Sequence, residues 1–211
     1  LIGLGLEASI ALRLRDLKRV RACAGELENI SVEKGIRREE WKAYMYHGWI
    51  AMLEGNPVKA GDLLRKAIDL ARGIEPPVST AKLMSLIAWQ RALVGEWESA
   101  EALLDEARQI AVDLGPVDRA DILLGSGRAC IQGGIWKRGE DALREAGNIY
   151  RAHGALADLA DTEELLGILI AERDGKVAKE ASEHLSTAAR IFDEMSLGGR
   201  ASAARNYAPG T

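Results

Sequence analysis

The sequence is poor in the residues and runs that mark membrane spans, signal peptides and aromatic-rich cores. Aromatic residues make up 5% of the 211 residues, and phenylalanine occurs once. No stretch approaches the ~20 uncharged apolar residues of a membrane span. The first twelve residues, LIGLGLEASIAL, have no basic segment before them, which argues against a signal peptide. A core with so few aromatics must consist mainly of Leu, Ile and Ala, which favours helices over strands.

The chain also lacks a large excess of either positive or negative charge. The chain has 28 basic and 32 acidic residues and a net charge of −4, which is too close to balance to indicate a nucleic-acid-binding protein. Its two cysteines, Cys23 and Cys130, are far apart in sequence. We therefore expect buried, reduced thiols and a cytoplasmic location. The chain begins at Leu1 rather than Met, and we expect it to be a fragment of a longer protein.

Residue patterns for metal or cofactor chemistry are missing. The three histidines, His47, His153 and His184, show no i, i+4 pair, and none pairs with a cysteine at ligand spacing. His47 should face a neighbouring helix, His153 should lie at a helix end, and His184 should lie on an exposed face. We expect no metal ion and no cofactor.

Catalytic motifs are missing as well. The segment Gly125-Ser126-Gly127 has the look of a nucleotide loop, but no strand precedes it, so close helix packing explains it better. The acid pairs Glu39-Glu40 and Glu163-Glu164 are adjacent in sequence, which points their side chains in different directions on a helix. The sequence therefore predicts that the chain is not an enzyme.

A repeat of about 40 residues organises the sequence. Similar segments begin at Gly55, Gly95 and Gly134. Each contains a small residue, a Leu four positions later, an Ala three after that and an aliphatic residue three further on. These steps place the four residues on one helical face. The five copies, of which the first is degenerate, are Val20/Ala24/Leu27/Ile30, Ala60/Leu64/Ala67/Leu70, Ala100/Leu104/Ala107/Ile110, Gly139/Leu143/Ala146/Ile149 and Ala181/Leu185/Ala188/Ile191.

A second small residue lies upstream of each copy, and it predicts a partner helix. The upstream residues are Ala8, Gly48, Ala88, Gly127 and Gly167. Small residues at a helix crossing let the two backbones approach closely. In the last copy the separation is longer, and Asp174-Gly175 indicates a longer turn there. Asn56-Pro57 is typical of an N-cap followed by a first-turn proline, and Ser79 and Asp118 are expected to cap the helices that follow them.

This pattern resembles the tetratricopeptide repeat, in which a small residue and a bulky residue precede Ala-x3-Leu-x2-Ala. Trp97 and Trp136 stand where that family usually has an aromatic. The period is near 40 rather than 34 residues, as in long repeats of large bacterial signalling and regulatory proteins. A solenoid of the HEAT or armadillo kind is the alternative. The resemblance implies an all-α, right-handed α-solenoid of at least ten helices in antiparallel pairs, forming a single domain over residues 1–211. The expected repeats are 1–35, 38–75, 79–115, 118–154 and 157–198, with a partial sixth at 200–207.

The resemblance also implies a concave groove lined by the first helix of each pair. The position after the small residue faces into such a groove, and here it holds Ser9, Trp49, Trp89, Arg128 and Ile168. A core position between adjacent helices is the alternative interpretation of Trp49 and Trp89. The predicted partner-binding residues are Lys42, Met45, Tyr46, Trp49, Met52, Lys82, Ser85, Trp89, Leu124 and Arg128.

The resulting functional hypothesis is a protein–protein interaction scaffold that holds a peptide or helix of a partner in this groove. The partner would carry apolar and acidic groups, or would be a neighbouring domain of the same longer chain. The alternative is a regulatory domain of a bacterial signalling or transcription protein that senses a ligand or peptide. No nucleic-acid or membrane partner is expected. A basic run, Arg13, Arg15, Lys18, Arg19 and Arg21, is either a solvated face or a docking patch for an acidic segment.

Overall fold

The computed structural model describes residues 1–175 and 178–207, and this part of the chain is all-α. It contains eleven helices and no strand. In the same part, no helix combines the length and the apolarity needed to cross a bilayer. The helices are α1 Ile2–Arg13, α2 Leu17–Glu33, α3 Arg37–Leu53, α4 Pro57–Ala71, α5 Pro77–Leu93, α6 Trp97–Ala111, α7 Pro116–Gly133, α8 Trp136–Ala152, α9 Leu156–Asp174, α10 Lys179–Glu194 and α11 Gly198–Tyr207.

Two of the three predicted helix starts differ from the structure. The side chain of Asn56 caps α4 by accepting a hydrogen bond from the Lys59 amide, as the sequence predicts. By contrast, α5 begins at Pro77 and α7 at Pro116, so Ser79 and Asp118 lie inside the first turns and are not caps. The reason is that proline fits the first helical position, where its missing N–H has no partner to lose.

The chain divides into two compact units, Leu1–Ile110 and Ala111–Thr211. In the first unit α1 packs on α2, α2 on α3, α3 on α4 and α4 on α5. In the second, α7 packs on α8, α8 on α9, α9 on α10 and α10 on α11. Each unit thus has the successive helix packing of a helical repeat.

Glycines at three helix crossings confirm the predicted close approach of the paired helices. A β-carbon built on Gly48 would lie 2.7 Å from Cγ of Leu64. A β-carbon on Gly127 would lie 2.5 Å from Cγ of Leu143, and one on Gly167 would lie 2.5 Å from Cγ of Leu185. Real β-carbons do not approach other atoms so closely. The segment Gly125-Ser126-Gly127 therefore serves helix packing inside α7.

Both cysteines are buried, and neither is in a disulfide. Cys23 lies in the core of the first unit, beside Ala24 and Tyr46, and Cys130 is fully buried in the second unit. Burial raises the pKa of the Cys23 thiol, because a thiolate is poorly solvated in an apolar core. The largest fully buried side chains of the chain, Tyr150 and Phe192, belong to the second unit.

Candidate functional site

Two tryptophans of the first unit occupy equivalent places on α3 and α5. Trp49 follows Gly48, which is pressed against Leu64 of α4, and Trp89 follows Ala88, which is fully buried. Successive residues of a helix are about 100° apart around its axis. The crossing residue therefore faces the paired helix, and the next side chain turns towards the neighbouring first helix and the surface. Both indoles are half-buried.

The two indoles contact each other directly. Their ring centroids are 5.9 Å apart and their planes are inclined at 68°, which is an edge-to-face arrangement. Such aromatic pairs contribute about 0.5–1.5 kcal/mol beyond the area that they bury. The contact joins the first helices of two consecutive pairs and leaves part of each ring accessible to a partner.

Three of the other predicted groove residues are half-buried on the same two helices. Met45 packs against the core formed by α1, α2 and α3. The ammonium of Lys42 donates to both carboxylate oxygens of Glu39, each at 2.9 Å. Lys82 lies on α5, seven residues before Trp89. We call Lys42, Met45, Trp49, Lys82 and Trp89 the tryptophan surface.

Three further predicted groove residues lie inside the first unit. The hydroxyl of Tyr46 donates to the carbonyl of Gly5 in α1 at 2.9 Å, and burial raises the pKa of Tyr46 to about 12. Met52 is buried, and the buried Ser85 hydroxyl donates to the carbonyl of Lys82 at 2.8 Å. In the folded chain these three side chains are committed to packing and are not presented to a partner.

The remaining two predicted groove residues belong to the second unit. Leu124 is buried in its core. Arg128 is half-buried, and its guanidinium lies 3.6 Å from a carboxylate oxygen of Asp161. The position that carries tryptophan in α3 and α5 is therefore occupied in α7 by a cation that already has a carboxylate partner.

Two residues of the basic run near the first turn form ion pairs with neighbouring helices. The guanidinium of Arg19 donates to Glu7 of α1, and that of Arg21 donates to Glu54 at the end of α3. All five basic residues of the run are exposed. These solvent-exposed pairs connect α2 to α1 and to α3. Of the two interpretations of the basic run, they favour the solvated face.

Sequence reasoning missed a cluster of ion pairs in the second unit. Glu163 of α9 is buried, and its carboxylate contacts Arg151 at 3.0 Å and Nδ1 of His184 at 2.5 Å. The expectation that His184 lies on an exposed face is wrong, because the ring packs between Glu163 and Glu180 with a side-chain exposure of 18%. Recognising this pairing from the sequence would have required knowing that α10 faces α9 at this point.

The neighbouring acid, Glu164, serves a different ion pair. The guanidinium of Arg200 in α11 donates to Glu164 at 2.7 Å and to Asp161 at 2.5 Å, and it lies 4.0 Å from the centroid of the Phe192 ring. Asp161 also meets Arg128, so one carboxylate links α7 and α11 through α9. The adjacent acids Glu163 and Glu164 thus point to different partners, as expected from their spacing.

The other two histidines lie where the sequence places them. Nε2 of His47 on α3 is 3.2 Å from a carboxylate oxygen of Glu28 on α2, and His153 is the exposed C-cap of α8. In residues 1–175 and 178–207, no group of three or more His, Cys, Asp or Glu side chains could hold a metal ion.

Comparison with known proteins relates this chain to helical proteins through its fold. No protein-family model and no curated protein sequence matches it. Among solved structures it is similar to BtubC (BKLC) from P. vanneervenii, with a TM-score of 0.56 and 18% sequence identity. The match covers 91% of this chain and 89% of that chain. At this identity the likeness concerns the fold alone: an all-α, helical-repeat architecture.

Proposed function

We propose that this chain is a tetratricopeptide-type repeat domain, with the right-handed superhelical course of that family, and that it binds a protein partner through the tryptophan surface. The five-copy spacing of small and aliphatic residues supports the family assignment. The glycine–leucine crossings of α3/α4, α7/α8 and α9/α10 support it further, because they place the repeat's small residues at the contacts that the family pattern requires.

The observation that carries the binding proposal is the accessible, edge-to-face pair of Trp49 and Trp89. Tryptophan is enriched among the residues that supply most of the energy at protein interfaces. An indole already held by a neighbouring ring loses little side-chain freedom on binding, so less of the contact energy is offset by ordering.

Two lysines on the helices that carry the indoles bear on the chemistry of the partner. Lys42 and Lys82 occupy equivalent positions on α3 and α5, seven residues before the two tryptophans. The Lys42 ammonium is bound by both carboxylate oxygens of Glu39, so an acidic group of a partner would compete with Glu39 for it. The matching ligand is an extended or helical segment with an aliphatic or aromatic anchor for the indoles and acidic residues for the ammonium groups.

The proposal is tested by selecting peptides from a displayed library of random 12-residue sequences on the immobilised chain. We expect the selected peptides to combine an apolar residue with Asp or Glu. Affinities are then measured by isothermal titration calorimetry for the parent, Trp49→Ala and Trp89→Ala. Loss of an anchor tryptophan typically weakens binding by at least about 2 kcal/mol, which is roughly thirtyfold in Kd. The melting temperature of each variant is recorded alongside.

Trp97→Ala is the matched control, because Trp97 is also half-buried but begins α6 outside the tryptophan surface. Lys42→Glu with Lys82→Glu should weaken acidic peptides, whereas Lys59→Glu, an exposed residue of α4, should not. Equal losses for Trp97→Ala and Trp49→Ala would refute the proposed site. If the variants lose binding because their melting temperature falls to the assay temperature, the two tryptophans have a purely structural role.

A further inference from the structure

The lysine that α3 contributes to the tryptophan surface already has a carboxylate partner on its own helix. The ammonium of Lys42 donates to both carboxylate oxygens of Glu39, each at 2.9 Å. The two side chains are 29% and 12% exposed, so solvent screens this pair less than it screens a fully exposed one. An acidic group of a partner that approaches Lys42 therefore meets a cation to which a carboxylate is already bound.

Three features of α3 keep Glu39 at this place. It lies three residues before Lys42, a spacing that brings two side chains together on a helix. It also lies in the first turn of α3, where the partial positive charge of a helix N-terminus attracts a carboxylate. Because both side chains belong to one helix, their contact forms without the entropic cost of association that a separate partner has.

The place of Lys42 relative to the indoles determines which acidic group can reach it. The side-chain carbons of Lys42 run close to α1, since a β-carbon built on Gly5 would lie 4.0 Å from Cδ of Lys42. Lys42 lies seven residues before Trp49, which is about 10 Å along the helix axis. An extended peptide covers about 10 Å in three residues. A carboxylate three residues from an apolar anchor can therefore reach Lys42 while the anchor contacts the indoles.

The pair is a feature of α3 and is not required by the repeat. In α5 the position of Glu39 holds Ser79, which carries no charge. In α7 and α9 the position of Lys42 holds Asp121 and Asp161 instead. Among these four helices, α3 alone has a lysine at this position with a glutamate three residues before it. The fold of the repeat thus tolerates other residues here, and the pair can serve the chemistry of the surface.

We propose that Glu39 determines how strongly the tryptophan surface prefers acidic partners, because it competes with the carboxylate of the partner for the ammonium of Lys42. The inference rests on the proposed function of that surface. A partner carboxylate gains the attraction of Lys42 only by displacing Glu39, so it contributes less to affinity than the charge of Lys42 alone would allow. The apolar anchor at the indoles then contributes the larger share. Glu39 acts through Lys42 and is a positioning residue.

The test compares the parent with Glu39→Gln, which removes the charge of the side chain and keeps its size. Random 12-residue peptides are selected on each immobilised chain. Calorimetry then gives the Kd of the tightest acidic peptide from either selection and of its amide form, in which Asn and Gln replace Asp and Glu. We expect Glu39→Gln to bind the acidic peptide about two- to fivefold more tightly than the parent does, and the amide form equally well.

Two further variants show whether Glu39 acts through Lys42. Glu40→Gln is the matched control, because it removes a negative charge from the same turn of α3 but points about 100° away around the helix. It should leave the ratio of the two Kd values unchanged. In a Lys42→Met background, Glu39→Gln should no longer change this ratio. A change in folding stability alone does not alter the ratio, because both peptides are measured on the same variant.

Several results would overturn the proposal. One is an equal gain for the acidic peptide and its amide form, or no gain for either. Another is a gain that persists in the Lys42→Met background, since Glu39 would then repel the peptide directly. A third is the absence of acidic peptides from both selections.

The proposed function can fail separately from the role of Glu39. If Trp49→Ala and Trp89→Ala bind both peptides as the parent does, the tryptophan surface is not the binding site and both proposals fall. If the tryptophan variants lose binding while Glu39→Gln leaves the ratio of the Kd values unchanged, the site stands and only the role of Glu39 is wrong.

Discussion

The two units place different side chains at the same position of the repeat. At the position after the crossing residue, the first unit has Ser9, Trp49 and Trp89, and the second unit has Arg128 and Ile168. The two tryptophans contact each other. Arg128 is paired with Asp161. The crossing residues themselves stay small in both units, because the paired backbones must approach closely there. Close packing thus requires a small residue at the crossing position. The position after it tolerates side chains of different size and charge, and these determine the chemistry of the surface.

The units also differ in how charge is used. In the second unit Glu163, Glu164 and Arg200 are buried and ion-paired. In the first unit the pairs of Arg19 with Glu7 and of Arg21 with Glu54 lie at exposed side chains. Buried pairs are strongly coupled to stability when one partner is removed, whereas exposed pairs contribute little. The contrast predicts which substitutions have large effects.

The largest expected effect comes from Arg200→Ala. This change leaves Asp161 and Glu164 without their shared cation and removes the contact with Phe192, so the second unit should lose about 3–5 kcal/mol of unfolding free energy. Urea unfolding followed by circular dichroism measures it. Arg21→Ala in the first unit, which breaks an exposed pair, should change stability by at most about 1 kcal/mol. Equal losses would remove the contrast between the units.

Next in size are the glycine crossings, which should behave alike in both units. Gly48→Ala and Gly127→Ala each force a β-carbon against a leucine, so each should destabilise its unit by about 1–3 kcal/mol. Gly25→Ala is the control, because a β-carbon there meets nothing within 4 Å, and it should stabilise α2 by about 0.5–1 kcal/mol. Thermal melting of the three variants checks this ordering, and a neutral Gly127→Ala would contradict the close crossing.

Alkaline pH should weaken the first unit through Tyr46. Burial raises the pKa of Tyr46 from 10.0 to about 12, so the folded chain holds this proton more tightly than the unfolded chain does. The stabilisation is complete below pH 10 and is lost as the pH rises towards 12, with a loss on the order of 1 kcal/mol by pH 11. Urea unfolding at pH 8 and pH 11 should show a smaller decline for Tyr46→Phe than for the parent. Identical declines would contradict the burial of the hydroxyl.

The smallest expected effect is the coupling between the two indoles. A double-mutant cycle with Trp49→Leu and Trp89→Leu should give an interaction free energy of about 0.5–1.5 kcal/mol, the range for edge-to-face pairs. Thermal denaturation of the parent, both single variants and the double variant provides the cycle. Pairing Trp49→Leu with Trp97→Leu should give additive effects. If both cycles gave the same interaction free energy, that free energy could not come from the contact between the Trp49 and Trp89 rings.

Most of the helical framework was predictable because it follows from local spacing. The small residues Gly48, Gly127 and Gly167 and the leucines that meet them recur at fixed distances, and steps of three and four residues identify helices. The starts of α5 and α7 were not predicted correctly, because two signals competed. Ser79 and Asp118 are good capping residues, but Pro77 and Pro116 come first and fit the first helical position.

The candidate site was predictable only in part. The side-by-side placement of Trp49 and Trp89 follows from their equivalent positions one repeat apart. The burial of Tyr46 and Ser85 was not predicted, because helix periodicity alone does not separate the side facing the preceding helix pair from the side facing solvent. The pairing of Glu163 with His184 depends on the contact between α9 and α10, which no local pattern encodes.

The burial of the cysteines gives each unit its own chemical reporter. Cys23 lies in the first unit and Cys130 in the second, and both are buried thiols outside any disulfide. A thiol reagent can reach either sulfur only when the surrounding helices open, so its labelling rate measures the opening equilibrium of that unit. Mass spectrometry of the two cysteine-containing peptides, sampled over time at increasing urea concentration, would resolve the two rates in the unmodified chain. Whether the two units open separately or together can then be followed without adding any foreign label.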